Sequence, residues 1–454
     1  MRTPWIDRST FNLRSPSLAM DAHDRTRKLP VELLSMILDD LCLDDVLRSS
    51  HVSKFWRSVA KRHPTYWRDI ILASLSTTAL DLFHDRLDAS CDQSISLFIY
   101  LPTVDSPSRL RSIVLPAIVR NMHRIHHLVL NSPLSHDTDM FNALCTPAPR
   151  LEKLDIYVID DAAASTAFPI DLFANNAPKF KRLHLYNVHL LPNSLPPVLS
   201  GIHTLKYFVA NELSFPAAML PHCRSLRKLS IFGSGCRLIA PQTSEYVEIA
   251  SRLEVLDVGV FYACLDFVHA FPCRSIAHVS IPVQQQAAAR ILLAQLHGDL
   301  QLRIEYDDGM ITVGYAALAS GMKRTFVYAR AVLADVTITE PYAARELLLR
   351  VQEVYVSSVC VPLLSSLRAL PSCTRIAVSG ADEHPLELPP AALDLPKLHT
   401  IEIACGAGYS DTNVRAFVDA AVAQVKSPVR VCLDDGARRR YLTIGPRCDC
   451  VPVS

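Results

Sequence analysis

A chain of 454 residues can hold two or three domains and a large core, and half of it is hydrophobic while a fifth is charged, as in soluble proteins. Lys plus Arg total 46 against 45 acidic residues, so a net charge of +1 argues against nucleic acid or a membrane surface as the main partner. No apolar run approaches the roughly 18 residues that span a bilayer, and the first fifteen residues lack the apolar core of a secretory signal. Thirteen scattered cysteines, an odd number, read as reduced and mostly buried thiols of a cytoplasmic and/or nuclear protein. Glycine is scarce (13) beside proline (30), which argues against glycine-rich phosphate loops and for a fold punctuated by proline at turns.

Residues 1–25 are polar and aperiodic and read as a disordered tail, with a basic cluster at Arg25, Arg27 and Lys28. The stretch from Leu29 to Trp67 is different. Leu29-Pro30 places proline at a first helical position, where its missing N–H costs nothing. Leu34, Ile37, Leu38 and Leu41 follow at helical spacing and predict one apolar face. Asp44-Asp45 can cap a second short helix carrying Val46 and Leu47. Val52, Phe55, Trp56 and Val59 mark a third, which Pro64 stops. Three short helices bury little surface, and so small a unit is marginal alone. Such apolar material on so small a bundle implies a partner that covers part of it.

In the order Leu29, Pro30, Glu32, Leu33, Ile37, Leu41, Leu47, Val52, Ser53, Trp56 and Trp67, this stretch resembles the F-box, the module that docks on the Skp-type adaptor of SCF ubiquitin ligases. The resemblance implies an F-box over residues 26–71. It implies an adaptor-binding set of Leu29, Pro30, Leu33, Ile37, Leu47, Val52 and Trp56. The first six would lie at or beneath the adaptor contact, and Trp56 with Trp67 would brace the helices behind it.

Residues 72–124 read as a transition segment, with a weak helix to Asp92 and a strand from Ser94 to Leu101. Then a phrase recurs. Leu151-x-x-Leu154-x-Ile156 returns as Phe180-x-x-Leu183-x-Leu185 and as Leu398-x-x-Ile401-x-Ile403, each preceded by Pro and a basic residue. Looser copies include Leu205/Phe208/Ala210, Leu226/Leu229/Ile231 and Leu253/Leu256/Val258. First apolar positions at 125, 151, 180, 205, 226, 253 and 276 give steps of 21 to 29 residues, the sign of a stacked repeat. One strand and one short helix cannot form a core alone, but stacked neighbours can.

This pattern resembles leucine-rich repeats of the kind found behind F-boxes. The Asn or Cys usual after the last Leu is mostly missing, so the repeats are degenerate. The fold class expected is α/β: a small N-terminal three-helix F-box followed by a leucine-rich-repeat solenoid of short parallel strands alternating with helices. The solenoid would span residues 125–435, with an atypical region at 282–350 and a cap or tail at 436–454. Within 282–350, a helix from Gln284 to Leu296 and three strands leave atypical repeats and a β-rich insertion both open, with Asp307-Asp308-Gly309 as a hairpin turn.

The sequence carries no positive sign of catalysis. Gly406 and Gly408 between a strand and a helix suggest a dinucleotide loop, but the third position is Asp411, whose charge opposes a pyrophosphate; it reads better as a helix N-cap. His123, His126 and His127 crowd together without acids or cysteines at ligand spacing. Cys448 and Cys450 offer two thiolates to a metal that wants four ligands. Arg438, Arg439 and Arg440 read as a solvated repeat end, with a nuclear signal or a phosphate contact as alternatives. The expectation is therefore no catalytic residue, no metal and no cofactor.

If the repeats stack, residues alternating with the inward positions share one exposed sheet face: Lys153, Asp155 and Tyr157; Arg182, His184 and Tyr186; Tyr207, Val209 and Asn211; Lys228, Ser230 and Phe232. Tyr157, Tyr186 and Phe232 would share a column, a composition suited to binding protein. Together with the resemblance, this suggests a non-catalytic substrate-recognition subunit of an SCF-type ligase. Its partners would be the adaptor, through it a cullin, and an unidentified protein target. A scaffold that uses its F-box outside a ligase is the alternative.

Overall fold

The structure, a computed structural model, describes residues 25–101, 106–133, 137–158, 168–188, 190, 195–208, 215, 217–233, 244–260, 264–307, 309–328, 338, 342–367, 369–379, 393–404, 411–423, 425, 427–434, 439–444 and 451–452. The tail 1–24 lies outside these residues, as do Val209, Asn211, Gly406, Gly408, Arg438, Cys448 and Cys450. The chain divides into two compact units, residues 1–211 with 216–226, and residues 212–215 with 227–454.

Unit 1 begins with four helices, α1 (Val31–Asp39), α2 (Leu43–Ser49), α3 (Lys54–Arg62) and α4 (Pro64–Trp67). Leu34, Leu38, Val46, Val59, Ala60 and Tyr66 form their core, with Leu41, Leu47, Phe55, Trp56 and Trp67 packed against it. Pro30 stands one place before α1, as the extended N-cap whose carbonyl accepts from Leu34 N at 3.2 Å. The expected aspartate cap is corrected. Cys42 is the cap residue of α2, and Asp44 and Asp45 lie inside its first turn, where carboxylates offset the positive helix end. Asp45 also pairs with Arg48 at 3.1 Å. Ser53 does cap α3, accepting from Trp56 N at 3.3 Å.

Six strands follow: β1 (Asp69–Leu72), β2 (Ile95–Tyr100), β3 (Ile125–Ser132), β4 (Lys153–Val158), β5 (Arg182–Tyr186) and β6 (Thr204–Phe208). Each pairs in parallel with the next, so pairing begins at β1, before the leucine phrase does. Leu128, Leu154, Leu183 and Leu205 are register partners, and so are Leu130, Ile156, Leu185 and Tyr207. Both rows are buried, so the alternation of each strand is what builds the core. Here one strand departs from the expected phase. Tyr207 is 1% exposed and donates its hydroxyl to Val188 O at 3.2 Å, while Lys206 and Phe208 face the open side. Tyr207 therefore belongs to the core and leaves the candidate binding face.

In unit 2, β7 (Lys228–Gly233), β8 (Val255–Val260) and β9 (His278–Pro282) are again parallel. The chain then makes two antiparallel hairpins through β10 (Leu300–Asp307), β11 (Met310–Ala317) and β12 (Lys323–Tyr328). Asp307 faces Met310, and Gly309 takes φ 76°, the left-handed conformation that a tight hairpin turn demands. β12 joins β9 in parallel and β10 joins β13 (Val351–Ser357) in parallel, so the hairpins sit between parallel runs. β14 (Arg375–Ser379), β15 (Thr400–Ala404) and β16 (Val429–Asp434) continue in parallel from β13. β17 (Arg439–Ile444), which contains Arg439 and Arg440, and β18 (Val451–Pro452) close the run antiparallel.

Buried arginines donate to backbone carbonyls near the ends of helices, turns and strands. Arg86, on α5 (Thr77–Ala89), donates to Tyr66 O at 2.5 Å and to Asp69 O at 2.6 Å. Arg124 donates to Leu87 O at 2.9 Å and to the Ser90 hydroxyl. Arg324 in unit 2 reaches Cys273 O at 2.9 Å and Ile276 O at 3.1 Å.

Candidate functional site

α1 has two apolar faces, and the sequence periodicity mixed them. Leu34 and Leu38 turn into the core, whereas Leu33, Met36 and Ile37 are 47%, 63% and 47% exposed. Ile37, expected on one apolar face with Leu34 and Leu38 and in the adaptor-binding set, thus parts from those two and lies on the exposed side. Leu29 and Pro30 are exposed just before α1, and Val52 is 53% exposed just before α3. Leu47 and Trp56 are half-buried against the core, and the Trp56 indole N–H donates to Thr26 Oγ1 at 2.6 Å. The Trp67 indole N–H donates to Arg62 O at 3.0 Å. His63 joins two helices: its Nδ1 accepts from Thr65 N at 3.3 Å and its Nε2 meets Asp39 Oδ1 at 3.1 Å. The helices are therefore held from behind while their front presents aliphatic side chains to solvent, which soluble surfaces avoid when such residues cluster.

A second candidate surface is the open face of the unit 1 sheet. Asp155 is its centre, buried and held by three bases. His127 Nε2 lies 3.0 Å and Lys153 Nζ 2.9 Å from Oδ2. His184 Nδ1 lies 2.8 Å from Oδ1. Burial alone would raise the carboxyl's pKa; the contacts of His127, His184 and Lys153 outweigh it and hold the group well below the usual carboxylate range. Beside it, Tyr157 lies 6.1 Å from Tyr186, whose ring stacks on Phe208 at 4.2 Å with 7° between planes. Phe208 is a member of this face that the sequence pattern missed. Two apolar residues in succession, Tyr207 and Phe208, make either phase of alternation look acceptable.

Of the expected unit 2 residues, Lys228 is exposed, Ser230 is buried and Phe232 is half-buried. The Phe232 ring lies where a Cβ at Gly259 would stand, 2.3 Å from its nearest atom, so any side chain there would force the ring to move. The same unit has an open groove of about 630 Å³ lined by Arg303, Glu305, Tyr355, Arg375, Glu402 and Arg430. Arg303 and Arg375 lie 5.0 and 5.4 Å from the Tyr355 ring centre, and Arg375 pairs with Glu402 at 2.7 Å, Arg303 with Glu305 at 2.8 Å. Arg303 and Arg375 are thus each paired with an acid. His278, nearby, has its pKa pushed down to about 4 by burial and then by Lys323 and Arg324. Among the described residues, no three His, Cys, Asp or Glu side chains gather as a metal site, and no helix is long and apolar enough to cross a membrane.

Residues 26–73 match the family model described as F-box-like. This stretch is an F-box-like domain. The match takes in α1 to α4 and β1, and with them every residue of the exposed aliphatic front. F-box domains in general bind Skp-type adaptors, and an F-box-like domain suggests an adaptor role in ubiquitin ligases. No curated protein matches the chain.

Proposed function

We propose that this chain is the substrate-recognition subunit of an SCF-type ubiquitin ligase, a non-catalytic cytoplasmic and/or nuclear protein. The F-box-like helices seat on a Skp-type adaptor and through it a cullin. The strands behind them, read as degenerate leucine-rich repeats, hold a protein target. The observation that carries this reading is the set of exposed aliphatic side chains, Leu33, Met36, Ile37 and Val52, on the domain that matches the F-box-like family. Because these four side chains are already about half-buried, covering the rest supplies roughly 1–1.5 kcal/mol each before the costs of association. The mechanism is positioning: a target held on the same assembly as the ubiquitin-charged enzyme meets it at a high local concentration.

Co-expression with the adaptor tests it. The wild-type chain should co-purify with adaptor and cullin, and Leu33→Asp with Ile37→Asp should abolish both while leaving the circular-dichroism spectrum unchanged. Undiminished capture by the double variant would count against the reading. Capture of the adaptor without any cullin would favour a scaffold acting outside a ligase.

A further inference from the structure

The open face of β2 to β6 is one-sided in charge. Among the described residues its outward positions hold a single carboxylate, Asp155, already occupied by His127, His184 and Lys153. Against it stand Lys153 on β4, Arg182 on β5 and Lys206 on β6. Arg182 and Lys206 are exposed, and neither is paired with an acid among the described residues. The aromatic column beside them narrows the ligand further. Tyr186 has Phe208 stacked on one ring face and Tyr157 tilted beside it at 6.1 Å, so its rings pack chiefly on one another. Ring edges are the positive parts of such side chains. Burial first, then Asp155 and Tyr100, push the Tyr157 pKa up, so its hydroxyl keeps the proton it donates.

We propose that this face binds an extended, carboxylate-rich segment of the target protein, with acidic side chains at alternate positions. The inference rests on the target-receptor reading above and names the class of target. Spacing supports it: Arg182 and Lys206 stand one strand and two residues apart, about 7–8 Å on a sheet. Alternate residues of an extended peptide recur at about 7 Å. Two separated cations suit successive carboxylates better than one phosphate, which calls for an arginine fork converging on a single group.

The test is fluorescence anisotropy on the full chain co-purified with its adaptor, using a labelled peptide of alternating Glu and Gly about ten residues long. The Glu peptide should bind, and its affinity should fall as salt rises from about 50 to about 300 mM. Arg182→Glu with Lys206→Glu should weaken it at least about tenfold, and Lys206→Arg should retain it. An equally long Lys-Gly peptide should not bind. Unchanged affinity in the double reversal overturns the proposal, as does binding of the Lys peptide or binding confined to a phosphoserine peptide. Adaptor capture separates the two ideas. If the reversal keeps the adaptor yet the Glu peptide never binds the wild type, this inference alone fails. If the adaptor is never captured but the Glu peptide binds through Arg182 and Lys206, the ligase reading fails and the face stands.

Discussion

Asp155 and His278 show how single titratable groups tie this fold to pH. Asp155 is 5% exposed at its side chain and ionised against three bases, so removing its charge leaves those bases facing one another. Asp155→Asn should therefore destabilise unit 1 by about 2 kcal/mol near neutral pH. Its folded pKa lies below the unfolded value of about 3.9, so its stabilisation is present above about pH 4 and is lost as pH falls through the folded value. The melting difference between wild type and variant should close below pH 4; a constant difference would refute the ion-pair account. His278 acts in a different window. Its folded pKa of about 4 lies below the ordinary value of 6.5, so the unfolded chain binds the extra proton first. Stability should fall as pH drops from about 6.5 to about 4, and His278→Asn should flatten that slope. A slope unchanged in the variant would assign it to other groups. Neither behaviour was legible in the sequence, which placed Asp155 on an exposed binding face and gave His278 no distinguishing mark.

Between elements, α5 locks the F-box-like helices to the first strand. Arg86 bonds the carbonyls of Tyr66 on α4 and Asp69 on β1, and its neighbour Asp85 takes Lys61 Nζ of α3 at 2.7 Å and the Tyr66 hydroxyl. Burial lowers the Arg86 pKa to about 10, which still leaves it charged at neutral pH. Arg86→Met keeps much of the volume but strands both carbonyls, at about 1–3 kcal/mol each. Amide exchange in Asp69–Leu72 should speed up in that variant, while α1 remains protected; unaltered exchange there would mean that apolar packing alone makes the lock. The strands at this scale were largely readable, because Leu128, Leu154 and Leu183 recur in one phase and are register partners. The arginine bonds were not, since a long cation carries no sequence mark of burial. The phase of β6 was lost for another reason: only the acceptor at Val188 O decides that Tyr207 turns inward, and that contact is 19 residues away.

For the whole molecule, the decisive asymmetry is an aliphatic front on a domain whose own core is already complete. The F-box resemblance was legible because adaptor docking demands specific residues in a short span, whereas a target face is defined only by three-dimensional neighbours such as Lys206 and Phe208. The core needs Leu34, Leu38, Val46, Val59 and Ala60, all buried, and draws nothing from Leu33, Met36 or Ile37. Charge placed on the front should therefore leave folding intact and change only what the front touches. In the absence of adaptor, exposed clusters of this kind drive self-association. Leu33→Glu with Ile37→Glu should then raise the monomer fraction of the isolated full chain in light scattering, and should keep its melting temperature within the small shift usual for surface changes. Adaptor added to the wild type should produce the same gain in monodispersity by covering the same side chains. A fall of many degrees in melting temperature would place Leu33 and Ile37 in the core instead, and the docking argument would lose its surface.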